Sequence, residues 1–237
     1  MSEFISDVTV DVHDVDYNGV AKASSIMRYI QSAAEAQLAE GGMSYEALKG
    51  RSRAFLLSRI RLEIDEPIRE CRRLKAISYP CESRGYSFLR CYRVEADGVT
   101  VARAISVWAL VDTDSRALVR VNDFELGLTL LPPIDMEIGR INLPDTLTDI
   151  GGYGVHYGDV DRNMHMNNTK YPDMYSNFLP LAGKRIKAIT INYQNEAAIG
   201  EKLRVLRGER DGLYYFRSVR SDGVVNSEAE IELADIK

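Results

Sequence analysis

Three side chains capable of acid–base chemistry and hydrogen bonding alternate along one short segment of the chain. Asp161, Asn163 and His165 supply a carboxylate, an amide and an imidazole. In extended backbone, residues two positions apart point to the same side, so this spacing predicts that the three groups face one small volume. There they could act together on one bound atom.

A helix start is predicted immediately after these residues. Asn167, Asn168 and Thr169 are residue types that cap helices, and Pro172 is tolerated in a first helical turn, whose amides have no partner within the helix. The start is therefore expected between Asn167 and Tyr171. Such a terminus directs amide hydrogens and partial positive charge at whatever precedes it, which suits a carbonyl or an oxyanion.

Two simpler interpretations compete with a reactive site. The spacing of Asp159, Asp161 and Asn163 resembles the first half of a calcium loop, but its sixth position is Met164 instead of Gly and its twelfth is Lys170 instead of Glu. Calcium is therefore rejected at this loop, and no other metal and no cofactor is expected. The other interpretation, a polar turn with one hydrogen-bonded histidine, is the commoner fate of an isolated His. Evidence from the remaining sequence weakens it.

Composition limits the class of protein. The 237 residues are 45% hydrophobic and 27% charged with a net charge of -5, which fits a globular protein and argues against nucleic-acid binding driven by bulk charge. Cys71, Cys81 and Cys91 fit neither a disulfide framework nor a zinc site. The first residues lack a signal-peptide pattern, and no apolar run approaches the ~20 residues of a membrane span. We expect a cytoplasmic protein that does not bind membranes.

The order of predicted elements indicates two similar halves. The first half shows a strand at 7–13, a helix at about 24–40 and three or four antiparallel strands, at 55–64, 73–84, 86–96 and 99–112. A proline-containing stretch with little periodicity, 113–150, is expected to cross between the halves. The predicted domains are residues 1–130 and 131–237.

An internal repeat supports this division. Asp159-Val-Asp-Arg-Asn repeats Asp14-Val-Asp-Tyr-Asn, and the later strands recur in the same order. Val20 then corresponds to His165, and Pro67 to Glu196. The second half is expected to carry the chemistry and the first to act as a scaffold. A helix wrapped by an antiparallel sheet, in duplicate, predicts an α+β tandem hotdog fold with two sheets and two central helices.

The polar segment also resembles the active-site signature of the acyl-acyl carrier protein (ACP) thioesterases. The pattern Asp-x-Asn-x-His-x-Asn-Asn-x-Lys-Tyr runs from Asp161 to Tyr171. A second family element, Tyr-x-x-Glu-Cys, is matched at Tyr193 and Glu196 but has Ala197 in place of the cysteine. The resemblance implies hydrolysis of fatty acyl-ACP thioesters. Because Ala197 replaces the family's cysteine, a nucleophilic thiol at this position is excluded, and direct attack by water is expected.

Thioester hydrolysis needs a base for water and donors for the oxyanion, which indicates a role for each of these residues. Glu196 with His165 would activate water, Asn163, His165 and the helix amides would contact the thioester carbonyl, and Asp161 would hold the other two in register. The sequence leaves open whether Asp161 or Glu196 is the base. An apolar acyl tunnel is expected along the first half, with Ile26, Ile30, Phe55, Leu57 and Trp108 as candidates.

The partner implied by the resemblance is an acidic carrier protein. Two basic groups could receive it, the first formed by Arg69, Arg72 and Arg73, the second by Lys184, Arg185 and Lys187. An acyl-CoA thioesterase, a non-catalytic acyl-thioester-binding hotdog module and a hotdog dehydratase remain as alternatives, in that order. A monomer and a homodimer are both compatible with a tandem hotdog, and the homodimer is slightly favoured.

Overall fold

Alternating apolar and polar residues form long antiparallel strands in both halves of the chain. The computed structural model describes residues 3–236. Its strands are β1 (Phe4–Thr9), β2 (Arg53–Ile64), β3 (Arg73–Pro80), β4 (Phe88–Ala96), β5 (Val99–Asp112), β6 (Leu118–Val119), β7 (Thr148–Gly154), β8 (Lys184–Tyr193), β9 (Lys202–Arg210), β10 (Leu213–Val219) and β11 (Val225–Asp235). Its α-helices are α1 (Ala23–Glu40), α2 (Tyr45–Lys49) and α3 (Tyr171–Ser176).

The strands form one continuous sheet. Their order is β1-β3-β4-β5-β2-β8-β11-β10-β9-β7, and β6 pairs with β5. Strands of the first half occupy one side of this order and strands of the second half the other, so the pairing of β2 with β8 joins the halves. This pairing runs from Arg59 opposite Asn192 to Glu63 opposite Ala188. The tandem hotdog fold is confirmed, with its two sheets joined edge to edge.

Helix α1 is the central helix of the first half. Its buried face includes Ile26, Met27, Ile30 and Ala34, each at most 4% exposed. Complete burial of one isoleucine or methionine contributes about 1.5–3 kcal/mol, so this face ties the helix firmly to the sheet. The helix ends before the Gly41-Gly42 pair, as the sequence predicts.

The corresponding helix of the second half is much shorter. Helix α3 has six residues and caps at Asn177, shortly before Pro180. Proline disfavours helical backbone in the preceding residue and cannot donate the next hydrogen bond, so the helix ends early. Met174 and Tyr175 nevertheless reach the core and are fully buried.

The predicted bounds of the first strand are wrong. The strand expected at 7–13 is β1, and residues Val12–Asp14 form a 3₁₀ turn instead. Asp11 causes this change, since its carboxylate accepts the Val12 amide and its own amide donates to Asp14. His13, expected to be a surface strand residue, is exposed but lies in this turn.

The segment between the halves is irregular, as expected, but it is packed. Leu131, Ile134, Met136 and Ile138 cover a small second core that includes Cys81 and Cys91. The division at residue 130 stays a prediction. Within residues 3–236, no helix has the length and apolar character needed to cross a membrane.

Candidate active site

The two copies of the repeated loop have the same backbone structure. The Asn18 amide donates to the Asp16 carboxylate at 2.8 Å, and the Asn163 amide donates to the Asp161 carboxylate at the same distance. The next residue has positive φ in both loops, 71° at Gly19 and 63° at Met164. The repeat in the sequence is therefore also a structural repeat.

Each loop is fixed in the same way to the segment that follows β2 or β8 in its own half, here called the strand-end segment. The Ala21 amide donates to the Ile68 carbonyl at 2.7 Å, and the Met166 amide donates to the Ala197 carbonyl at 2.8 Å. This match places Pro67 opposite Glu196, as the alignment of the two halves predicts. The two halves therefore present equivalent backbone positions for His165 and Glu196.

The loop that carries His165 is a turn rather than an extended segment. The Asp161 amide donates to the His165 carbonyl at 3.1 Å, and the Met164 amide donates to the Asp161 carbonyl at 2.9 Å. The expectation that alternating residues share one side of an extended strand is therefore wrong. The left-handed backbone at Met164 reverses the chain, a conformation that few non-glycine residues adopt.

The reversed chain brings His165 beside Glu196. Nδ1 of His165 lies 3.1 Å from Oε2 of Glu196, and the two side chains are 36% and 59% exposed. His165 also forms an antiparallel bridge with Ala198, which holds the two segments side by side. An imidazole that donates from Nδ1 to a carboxylate is fixed in one orientation, an arrangement common in general acid–base sites.

Asn163 is held by a residue from the other half of the chain. The hydroxyl of Tyr45, the first residue of α2, donates to Oδ1 of Asn163 at 3.0 Å. The guanidinium of Arg162 stacks on the Tyr45 ring at 3.6 Å from its centroid. The contact with Tyr45 orients the carboxamide of the Asn163 side chain. Because Oδ1 accepts from Tyr45, Nδ2 is the atom of this side chain that can donate to a ligand. No sequence pattern singles out Tyr45 for this contact.

Asp161 and Asn167 shape the loop and the helix start. The Asp161 carboxylate accepts from the Asn163 amide and, at 3.5 Å, from Nδ2 of Asn167. Oδ1 of Asn167 accepts from the amide and hydroxyl of Thr169 at 2.9 and 2.7 Å. A 3₁₀ turn, Asn168–Lys170, then leads into α3, so the predicted start position is confirmed.

The amides at this start are already engaged. The Thr169 amide donates to the Asn167 side chain, and the Lys170 amide donates to the Asn167 carbonyl at 2.9 Å. The prediction that the helix amides face a bound carbonyl is therefore wrong for these two groups. Asn163 and His165 are the polar side chains that the loop presents instead.

An aromatic pair, buried Tyr171 and partly buried Tyr193, supports the loop from below. Tyr171 packs edge to face on Tyr193 with ring centroids 5.1 Å apart, and the Tyr193 hydroxyl donates to the Asn168 carbonyl. Burial raises the pKa of the Tyr171 hydroxyl to about 12; a hydrogen bond with Asn226 opposes the increase and the charge of Glu196 adds to it. Tyr171 is therefore neutral at physiological pH.

The cysteines lie apart from this arrangement in the sequence and the fold. Ala197 is fully buried beside Glu196, at the position of the family's cysteine. Cys81 and Cys91 are buried in the second core, and Cys71 is exposed in the turn between β2 and β3. All three cysteines belong to the first half.

The other predicted surfaces and linings have mixed outcomes. Ile26, Ile30 and Leu57 lie in the main core, and Phe55 packs edge to face on Phe88 and Phe124. Their role in an acyl tunnel stays a prediction. Arg185 cannot form part of an exposed basic surface, since it is 8% exposed and donates to the Ile64 and Asp65 carbonyls.

Comparisons with known proteins identify the family. The family model for the acyl-ACP thioesterase N-terminal domain matches residues 2–126, and the model for the C-terminal domain matches residues 144–235. No curated protein sequence matches the chain significantly. Among the solved structures that match, several share the fold over nearly the full length of both chains, and two of them are acyl-ACP thioesterases by name.

The first of these is an acyl-ACP thioesterase from Bacteroides thetaiotaomicron, with a TM-score of 0.90, 18% identity and 98% coverage of each chain. The second is a 12:0-ACP thioesterase from Umbellularia californica, with a TM-score of 0.84, 16% identity and coverage of 98% of this chain and 97% of the other. At these identities the structures support the fold alone, whereas the two family models span most of the sequence. The chain therefore belongs to the acyl-ACP thioesterase family and is a hydrolase of fatty acyl thioesters.

Proposed function

We propose that this protein hydrolyses fatty acyl-ACP through attack by a water molecule that Glu196 and His165 activate. The contact between Nδ1 of His165 and Oε2 of Glu196 at 3.1 Å carries the proposal. Asp161 is a weaker candidate for the base, because its carboxylate already accepts from the Asn163 amide and the Asn167 side chain. Its role is to hold the turn that presents Asn163 and His165.

The reaction proceeds in two steps. Glu196, oriented by the His165 imidazole, takes a proton from water as the oxygen bonds to the thioester carbon. Nδ2 of Asn163 donates to the resulting oxyanion, which is the position where a hydrogen bond contributes most. The C–S bond then breaks, and the proton passes to the departing sulfur. A thiol of pKa about 8.5 is a good leaving group, so little further acid catalysis is needed.

The proposed carrier binds through the exposed members of the basic groups. Arg72 is paired with Glu66, and Lys187 with Glu232 at 2.7 Å, which reduces the charge available for a partner. Arg69, in the turn between β2 and β3, and Arg73, the first residue of β3, are both exposed and belong to the first half. In this proposal an acidic carrier pairs with Arg69 and Arg73 individually, so the interaction should weaken with salt.

The test is thiol release from acyl-ACP substrates of increasing chain length, compared with the matching CoA esters and with a His165→Ala control. We expect faster hydrolysis of the carrier-bound substrates and a loss of about 10²–10⁴-fold in the control. Preference for the CoA esters would contradict the carrier assignment. Binding of the whole series without turnover would contradict hydrolysis and favour an acyl-thioester-binding module.

A further inference from the structure

A group of buried polar side chains lies beneath the segment that carries Glu196. Asn226, at the start of β11, is fully buried. Its Nδ2 donates to the Asn195 carbonyl and, at 3.0 Å, to the Tyr171 hydroxyl. Its Oδ1 accepts from the Ser218 hydroxyl at 2.8 Å. The side chain of Asn226 therefore has partners for both its donor and its acceptor groups.

The main chain of Asn226 reinforces this grip. Its carbonyl accepts from the amides of Gln194 and Asn195 at 2.9 and 3.0 Å. Asn195 is thus bonded to Asn226 through both its amide and its carbonyl, and its own side chain donates to the Val225 carbonyl at 2.7 Å. The residue after it is Glu196. The peptide that leads into Glu196 is consequently fixed by one buried asparagine.

The network continues away from the site through two more hydroxyl groups. The Ser218 and Ser227 hydroxyls lie 2.7 Å apart, and the Ser227 and Tyr175 hydroxyls are also separated by 2.7 Å. Ser218, Ser227 and Tyr175 are all fully buried. A buried hydroxyl or amide that loses its partner destabilises the folded state, so these groups depend on one another.

The first half fills the equivalent positions with apolar side chains. The Asp65 amide donates to the Val101 carbonyl at 2.9 Å, just as the Gln194 amide donates to the Asn226 carbonyl. This match aligns Val101 with Asn226. The strand pairing of Val94 with Ala102 likewise matches that of Ser218 with Ser227. The offset between the two loops also aligns the helix positions. Ile26 corresponds to Tyr171, and Ile30 to Tyr175. The five first-half residues all lie in the main core: Val94, Val101, Ala102, Ile26 and Ile30.

The contrast shows that the hotdog framework does not require polar groups at these positions. The half without Glu196 builds the same backbone with valine, alanine and isoleucine. The half with Glu196 accepts the cost of burying five polar side chains. From this we infer that Asn226 is a positioning residue for Glu196, holding the Asn195 peptide so that the Glu196 carboxylate faces His165. This inference rests on the proposed role of Glu196 in hydrolysis.

The expected effect is on the rate rather than on substrate binding. Misplacement of a catalytic group by about 1 Å can cost about 10²-fold. In Asn226→Val, which introduces the residue of the other half, we expect kcat to fall about 30–100-fold with KM changed less than about threefold. Asn226→Asp keeps the shape and the acceptor for Ser218 but lacks the Nδ2 hydrogens. Asn226→Asp should show a similar fall in kcat, and it tests the inference even if the valine variant does not fold.

Tyr175→Phe is the matched control, because it removes a buried hydroxyl of the same network that does not contact Asn195. Its kcat should stay within about twofold of the original, although its stability should fall. An equal loss of kcat in Tyr175→Phe and Asn226→Val would overturn the inference, since general loosening of the core would then explain both.

A double-mutant cycle with Glu196→Gln separates this inference from the proposed function. If Asn226 acts through Glu196, Asn226→Val should cost less than about threefold in the Glu196→Gln background. The same 30–100-fold cost there would overturn the positioning role while leaving the proposed function intact. Near-normal hydrolysis by Glu196→Gln alone would instead contradict the role of Glu196 and the inference with it. Asn226→Val and Asn226→Asp within twofold of the original kcat would overturn only the inference.

Discussion

Val20 and Pro67 occupy in the first half the positions that His165 and Glu196 occupy in the second. The loops that carry Val20 and His165 share a turn, a positive φ and the hydrogen bond to the strand-end segment. Val20 is buried at 3% exposure. The side chains of His165 and Glu196, by contrast, are 36% and 59% exposed and pair with each other at the surface. The loop therefore folds without the acid–base pair, and stability does not explain why His165 and Glu196 are present.

The largest effect should come from giving the second half the side chain of the first. His165→Val should lower kcat about 10²–10⁴-fold, because the proposed base loses the imidazole that orients it. The free energy of unfolding should change by less than about 1 kcal/mol, since exposed pairs of this kind stabilise weakly. Steady-state hydrolysis and urea unfolding measure the two quantities.

The matched variant in the other half is Val20→Ala. It should show the opposite result, with hydrolysis retained and the free energy of unfolding lowered by about 1–3 kcal/mol through the loss of buried methyl groups. A His165→Val protein that unfolds easily but hydrolyses normally would show that the two positions do the same structural work. The comparison of the halves would then fail.

Asn18 and its counterpart Asn163 should affect different quantities, the free energy of unfolding and kcat respectively. Nδ2 of Asn18 donates to the Leu181 and Lys184 carbonyls at 2.8 and 3.3 Å, and its Oδ1 accepts from the Gly183 amide. Asn18→Ala should therefore lower the free energy of unfolding by about 1–3 kcal/mol and leave kcat within about twofold. Asn18 fastens one half to the other.

Asn163→Ala should behave in the reverse way. The side chain is exposed and is the proposed donor to the oxyanion, so kcat should fall about 10²–10³-fold. The free energy of unfolding should change by less than about 0.5 kcal/mol, as for most exposed substitutions. Equal losses of rate in Asn18→Ala and Asn163→Ala would mean that both loops contribute to the reaction.

Local sequence signals account for much of this site. The cap at Asn167, together with Pro172, sets the helix start within the predicted range, because capping depends on neighbouring residues alone. The internal repeat correctly matched His165 with Val20 for a similar reason, since each loop is closed by hydrogen bonds to its own aspartate. The alignment of Glu196 followed from the order of the strands.

Other features depend on contacts or backbone states that local signals do not reveal. Met164 adopts the positive φ that Gly19 adopts in the first half. A methionine rarely has this backbone conformation, so its residue type gave no sign of a turn. Tyr45 lies 118 residues from Asn163 on a five-residue helix, and only the packing of the halves brings them together. Asn226 would have been found by aligning the last strands, where it falls opposite Val101 in the first half.

The smallest rate effect should come from Tyr45, which gives the loop of Asn163 a contact unlike that of Asn18. Asn18 is held by three main-chain groups, but the Asn163 side chain accepts from the Tyr45 hydroxyl, which lies at an exposed position. Tyr45→Phe keeps the ring on which Arg162 stacks and removes only the donor to Oδ1. Asn163 should then be less well oriented, and kcat should fall about 5–10-fold, roughly the value of one neutral hydrogen bond.

Tyr17→Phe provides the control, because Tyr17 stands at the repeat position of Arg162 and is 76% exposed. It should leave kcat unchanged. In an Asn163→Ala background, Tyr45→Phe should cost nothing further, since the side chain that it orients is gone. An unchanged 5–10-fold cost in that background would place Tyr45 in direct contact with the substrate. The first half would then contribute to the reaction itself instead of only holding the residues of the second.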